Sequence, residues 1–169
     1  ACVRALASLG CPAAIKWPND VVVRGKKVAG ILTEMSTDLD RIEFVVIGIG
    51  INVNTHSFPG EIREVATSLA IEQGKETART PIIAAVWKQF ARYEKLFEEK
   101  GSFTALKERY EALLANRGRE VRVLDPDGEY CGVAEGITEG GELLVRREDQ
   151  SLTAVRSGEV SVRGIYGYI

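Results

Sequence analysis

Apolar positions follow one set of rhythms up to about residue 116 and another beyond it. Cys2, Val3, Leu6 and Leu9 fall at helical spacing, and Gly10 with Pro12 supplies the stop. Ala13 to Trp17 reads as a short strand that ends against Pro18. Val21 to Val23 and Val28 to Glu34 form two extended runs about Arg24-Gly25-Lys26, the signal of a hairpin. Asp38 to Arg41 is polar and predicts the next turn. Ile42 to Val53 is an almost unbroken apolar run, which predicts a strand buried on both faces.

A loop is expected at His56 to Gly60, followed by short helical pieces around Ile62 to Gln73. Pro81 suits the first position of a helix after Thr80. Ile82, Val86, Phe90, Tyr93 and Phe97 continue one helical stripe that stops at Gly101. Ser102 is placed to cap a further helix through about Leu114, with Leu106, Tyr110 and Leu113 inward. Both helices are expected to pack against the sheet.

From Asn116 to Arg119 onward the pattern becomes short and β-rich. The runs are Glu120 to Leu124, Tyr130 to Ile137, Glu142 to Arg147, Ser151 to Val155 and Val160 to Arg163. Asp125-Pro126-Asp127-Gly128, Glu139-Gly140-Gly141 and Ser157-Gly158 separate them as turns. Five short strands in so few residues predict a small barrel. The expected fold is therefore α+β: a mixed β-sheet with packed helices over residues 1–116, then a β-barrel over 117–169.

Composition narrows the function classes. With 169 residues, 45% apolar and 27% charged, the chain can bury a core without disulfides. Its net charge of −2 gives no attraction for nucleic acid or an anionic membrane surface. No lysine follows Lys107, so the barrel lacks the basic face that nucleic-acid binding needs. No apolar run is long enough to span a bilayer, and the N-terminus carries no secretory pattern. Cys2, Cys11 and Cys131 lack metal or redox spacing and read as reduced thiols, which points to the cytoplasm. Ala1 is no initiator methionine and a helical pattern is already running at residue 2, so the chain is expected to begin inside a longer protein.

Candidate chemistry concentrates between Lys16 and Asn54. In an extended strand Gly48, Gly50 and Asn52 share one face, while Ile47, Ile49, Ile51 and Val53 share the other. A face stripped of side chains suits either a closely approaching ligand or a tightly packed second layer. Gly48-x-Gly-x-x-Val53 lacks a third glycine and a following helix, so it is no dinucleotide fingerprint. Lys27 follows the hairpin turn, and simple alternation puts Ala29 and Ile31 on its face. Held inward there, its ammonium would require an anionic partner; held outward, it is a solvated hairpin lysine. Gly30 admits a ligand or marks a bulge. Asp20 offers a hard oxygen for magnesium, Lys16 a charge for phosphate, and Trp17 is expected in the core. His56 is the only histidine, which excludes histidine-based triads.

These motifs, in this order, closely resemble the biotin protein ligases. The resemblance rests on Lys16-Trp17-Pro18-Asn19-Asp20, on Gly25 to Glu34 with its Lys27-Val28-Ala29-Gly30-Ile31-Leu32 core, and on Gly48-Ile49-Gly50-Ile51-Asn52. It extends to the tail Ser157-Gly158-Glu159-Val160-Ser161-Val162-Arg163, which is similar to that family's C-terminal domain. The resemblance implies a class II synthetase-like catalytic sheet followed by an SH3-like barrel. It implies ATP-dependent attachment of biotin to a lysine of a biotin carboxyl carrier protein, through biotinyl-5′-AMP and with Mg²⁺. By the same resemblance Lys27 is the catalytic residue, and Lys27, Gly30, Gly48 and Gly50 bind biotin. Lys16, Asn52, Glu159 and Arg163 serve the nucleotide, and Asp20 the metal.

The family's upstream Gly-Arg-Gly-Arg-x-Gly-Arg loop has no counterpart among the 169 residues. The chain is accordingly expected to be the C-terminal part of a longer enzyme, with catalysis a property of the complete protein. Two alternatives remain: a lipoate or octanoate ligase, and a non-catalytic biotin-binding or regulatory protein of the same fold. The long strand from Ile42 is also expected to be able to pair across a two-fold axis in a homodimer.

Overall fold

The computed structural model describes residues 1–38, 41–125, 128–157, 161–164 and 168. Helix α1 (Cys2–Ser8) leads into β1 (Ala14–Lys16), β2 (Asp20–Val23), β3 (Lys26–Asp38) and β4 (Arg41–Ile51). These strands form one sheet in the order β1-β2-β3-β4, every pair antiparallel. Arg24 and Gly25 both take positive φ, 49° and 82°, the two-residue turn that matches the twist of a tight hairpin. The expected turn at Asp38 to Arg41 falls on residues 39–40, outside the described residues.

Short α2 (Leu69–Gln73) is capped by Ser68, whose hydroxyl accepts from Ile71 N, and ends at left-handed Gly74. Helix α3 (Arg79–Lys100) starts earlier than the sequence suggests: Ala78 is its N-cap, so Pro81 is its third residue. Its stripe stops at Gly101 in the left-handed conformation, as expected. Helix α4 (Thr104–Glu111) has Phe103 at its N-cap with no side-chain cap, so Ser102 does not play the capping role assigned to it.

The second sheet comprises β5 (Glu120–Leu124), β6 (Tyr130–Ile137), β7 (Leu143–Arg146), β8 (Leu152–Val155) and β9 (Ser161–Gly164). Its order is β8-β7-β6-β5-β9, again antiparallel. Alternation sends Val121, Val123, Leu143, Val145 and Val162 inward, all essentially without solvent contact.

Two cores result. One joins α1, the first sheet and α3 through Val3, Leu6, Val21, Val23, Val28, Val53 and Ile82. The other fills the second sheet and takes Trp17 from the first. The Trp17 backbone N–H donates to Asn116 Oδ1 at 3.0 Å, and its indole N–H donates to the Gly141 carbonyl at 2.9 Å. Ile15 bonds on both sides to the 113–115 segment, N to Leu113 O and O from Ala115 N, each 2.7 Å. The strand that presents Lys16 is thereby fastened to the second sheet.

Strand β4 departs from expectation. It forms the open edge of its sheet, and Ile42, Phe44, Val45, Val46 and Ile47 are exposed. The apolar run suggests burial on both faces, but of it only Ile49, Ile51 and Val53 reach the core. Among the described residues no helix is long and apolar enough to cross a membrane.

Candidate active site

The site starts from a skipped residue. Val21 pairs with Ala29, but Val22 pairs with Lys27, so Val28 is an extra residue in β3. A bulge of this kind reverses the alternation on one side of it. Lys27 therefore leaves the Ala29 and Ile31 face expected of it and joins the face of Asp20 and Gly30. There its Nζ lies 2.6 Å from Asp20 Oδ1. The backbone of Lys27 is held as well: its N–H donates to Val65 O at 2.7 Å and its carbonyl accepts from Thr67 N at 2.8 Å.

Gly30 answers the question its position raises in a third way. A Cβ there would stand 3.1 Å from both Cε and Nζ of Lys27, so the missing side chain makes room for the lysine to fold across the strand. Gly50 pairs with Gly30, and Gly48 with Leu32, continuing the bare surface onto β4. At Gly48 and Gly50 an added Cβ would meet nothing nearer than a carbonyl oxygen, at 3.7 and 3.9 Å. No protein layer packs on these two glycines among the described residues. Lys27, Gly30, Gly48 and Gly50 line one concavity of about 480 Å³ together with Asn19, Ile31, Leu32 and Ile49. Four of the expected site residues are thus brought together.

Asp20 is the hub beneath them. It is buried, and its Oδ2 stands 3.9 Å from Lys16 Nζ and accepts the phenolic proton of Tyr168. The Tyr168 ring covers the Lys16 ammonium at 4.2 Å. Burial lowers the Lys16 pKa; Asp20 opposes this, while Lys27 and Arg163 add to it. Arg163, exposed on β9, thereby makes its charge felt at the first sheet. Burial chiefly, and then Asp20, push the Tyr168 phenol upward. Two ammonium groups against one carboxylate leave an excess of positive charge, which favours an anion in the adjoining cavity.

This environment does not suit a dication at Asp20. Two ammonium groups and a phenol already engage its carboxylate, and no group of three His, Cys, Asp or Glu occurs among the described residues. Asp20 is an ion-pair partner of Lys16 and Lys27 in this structure. Asn52 is likewise employed by the fold. Its Nδ2 donates to Thr67 O at 3.1 Å, its N–H to the bulged Val28 O, and its carbonyl accepts from Leu69 N. It braces the 65–69 segment that holds Lys27, and it does not line the cavity. Glu159 lies outside the described residues. Tyr168 was not signalled by the sequence: a tyrosine between glycine and isoleucine at the chain's end says nothing of a partner 148 residues away.

Residues 1–52 match the model of the biotin/lipoate A/B protein ligase family, and residues 118–163 that of the biotin protein ligase C-terminal domain. The apo structure of a biotin protein ligase from Aquifex aeolicus superposes with a TM-score of 0.85 at 36% identity, covering 96% of this chain and 71% of that one. The same relative in complex with biotin and ATP gives a TM-score of 0.83. Among curated proteins, the bifunctional ligase/repressor BirA of Bacillus subtilis is 38% identical over 80% of this chain. The biotin–[acetyl-CoA-carboxylase] ligase of Paracoccus denitrificans is 32% identical over 79%. The chain spans only 42% and 56% of the length of those two relatives.

Proposed function

The chain belongs to the biotin protein ligase family, and from that premise we propose that the protein containing it activates biotin with ATP and transfers it to a lysine of a biotin carboxyl carrier protein. The observation that carries this reading is the Lys27 ammonium, folded over Gly30 at the end of an open glycine surface. A flat bicyclic ring with a carboxylate tail matches a bare sheet face ending in a cation. Lys27 is 41% exposed at its side chain, so the ammonium can reach a ligand while Asp20 holds it.

In the first step a biotin carboxylate oxygen attacks the α-phosphorus of ATP, the bond to the β-phosphate oxygen breaks, and pyrophosphate leaves. Two anions must meet, so fixed positive charge aimed at the developing phosphorane is the main contribution the site makes. Lys27 supplies it directly. Arg163 is assigned to the nucleotide side, with Glu159 beside it in the chain. Lys16, beneath the Tyr168 ring, contributes charge rather than contact, and Asn52 could offer only its Oδ1. Mg²⁺ is assigned to the triphosphate, since the surroundings of Asp20 do not suit it. In the second step a neutral carrier lysine attacks the acyl carbon, AMP departs with the electron pair, and the amine loses its proton.

We assign residues 1–116 to the catalytic domain and 117–169 to the SH3-like domain, in a cytoplasmic protein. A homodimer is assigned to the open edge of β4, whose exposed Ile42, Phe44 and Val46 suit a second copy. The C-terminal match over 118–163 favours biotin over lipoate.

The test is intact-mass detection of transfer to a carrier domain, using the protein as its gene encodes it with biotin, ATP and Mg²⁺. One biotinyl group is expected, and none from lipoate or octanoate. Lys27→Ala should slow adenylate formation about 100-fold or more. Near-normal pyrophosphate release by that variant removes Lys27 from the mechanism, and biotin binding without any release identifies a non-catalytic binding protein.

A further inference from the structure

A carboxylate turns about its Cβ–Cγ bond unless both oxygens are held. Asp20 is held at both: Lys27 Nζ lies 2.6 Å from Oδ1, and Tyr168 donates its phenolic proton to Oδ2. The charge-assisted bond from the phenol fixes the carboxylate plane, and with it the direction in which Oδ1 draws the ammonium. The tyrosine ring is itself seated, half-buried, on the Lys16 ammonium. It comes from beyond β9, so a residue that follows the second sheet in the chain supplies one corner of an arrangement otherwise built by β1, β2 and β3.

We propose that Tyr168 is a positioning residue of the ligase site, acting through Asp20 to hold the Lys27 ammonium over the Gly30, Gly48 and Gly50 surface. The inference rests on the reading of Lys27 given above. It makes Tyr168 part of the activation machinery. Freed from the phenol, Asp20 can rotate, and a lysine with two-fifths of its side chain exposed loses its fixed direction.

Tyr168→Phe keeps the ring over Lys16 and removes only the hydroxyl. Single-turnover adenylate formation, measured in the protein as its gene encodes it, should slow about tenfold, the usual scale for one hydrogen bond to a charged group. The KM for ATP should change less than twofold, because the ground-state nucleotide contacts are untouched. In a Lys27→Ala background the same substitution should have no further effect, since its route runs through the lysine. A purely structural role would instead lower the melting temperature and slow both backgrounds alike. An unchanged rate in Tyr168→Phe, or equal slowing with and without Lys27, overturns the inference while leaving the functional reading intact. A wild-type protein that binds biotin and forms no adenylate overturns both.

Discussion

Lys27 Nζ and Asp20 Oδ1 stand 2.6 Å apart because β3 carries one residue more than β2 between Ala29 and Lys27. Without that bulge Lys27 would point into the core with Ala29, where an ammonium has no partner. Removing the carboxylate should therefore be felt by the fold. Asp20→Ala leaves Lys16 buried and unpaired, and a loss of about 3 kcal/mol is expected. Urea denaturation measures it; a change under about 0.5 kcal/mol would show that Lys16 simply finds water.

The glycines on the first sheet and in the second should respond oppositely to alanine. Gly48→Ala and Gly50→Ala meet nothing closer than 3.7 Å, so stability should hold or rise by roughly 0.5–1 kcal/mol, while biotin affinity falls. Gly132 is different: a Cβ there would lie 2.5 Å from the Arg146 carbonyl oxygen, and backbone cannot yield cheaply. Gly132→Ala should destabilise. Calorimetric binding and thermal melts on the three variants separate the cases, and unaltered biotin affinity in both β4 variants would move the ligand elsewhere.

Lys16 gives a pH dependence whose sign is fixed. Burial lowers its folded pKa below the ordinary 10.5, so between the two values the unfolded chain binds more protons and stability rises with pH. The contribution is most unfavourable below the folded pKa and is relieved as pH climbs toward 10.5. Lys16→Met should thus gain on the wild type near neutrality, and the gap should narrow in alkali. Parallel denaturation curves from pH 7 to 10 would show it; a gap that widens with pH contradicts the burial argument.

The open edge of β4 can be tested through Phe44, which is 57% exposed. Light scattering with biotin and ATP present should report a dimer for the wild type and a monomer for Phe44→Lys, since a charge at an edge blocks strand pairing. A monomeric wild type at high concentration would dismiss the dimer.

Much of the site was legible as a set of residues. Lys27, Gly30, Gly48 and Gly50 do meet around one cavity, because strand alternation and glycine chemistry are local properties. Their geometry was not legible. The alternation that put Lys27 with Ala29 fails at Val28, and a bulge is decided by what the neighbouring strand needs. That Lys16 and Lys27 both pair with Asp20 depends on strands meeting in register, which no local pattern shows. Trp17 was correctly placed in a core, yet the core is that of the second sheet.

By itself the sequence determined the elements and their order: the Arg24-Gly25 hairpin, the five late strands, and the glycine face of β4. These depend on side-chain periodicity and on backbone conformations that few residues adopt, and both act over a handful of positions. Only the tertiary structure decided which face Lys27 takes, that Asp20 answers to Tyr168, and that Ile42 to Ile47 stay uncovered. Each depends on groups distant in the chain meeting with a definite register, and no local pattern carries that information.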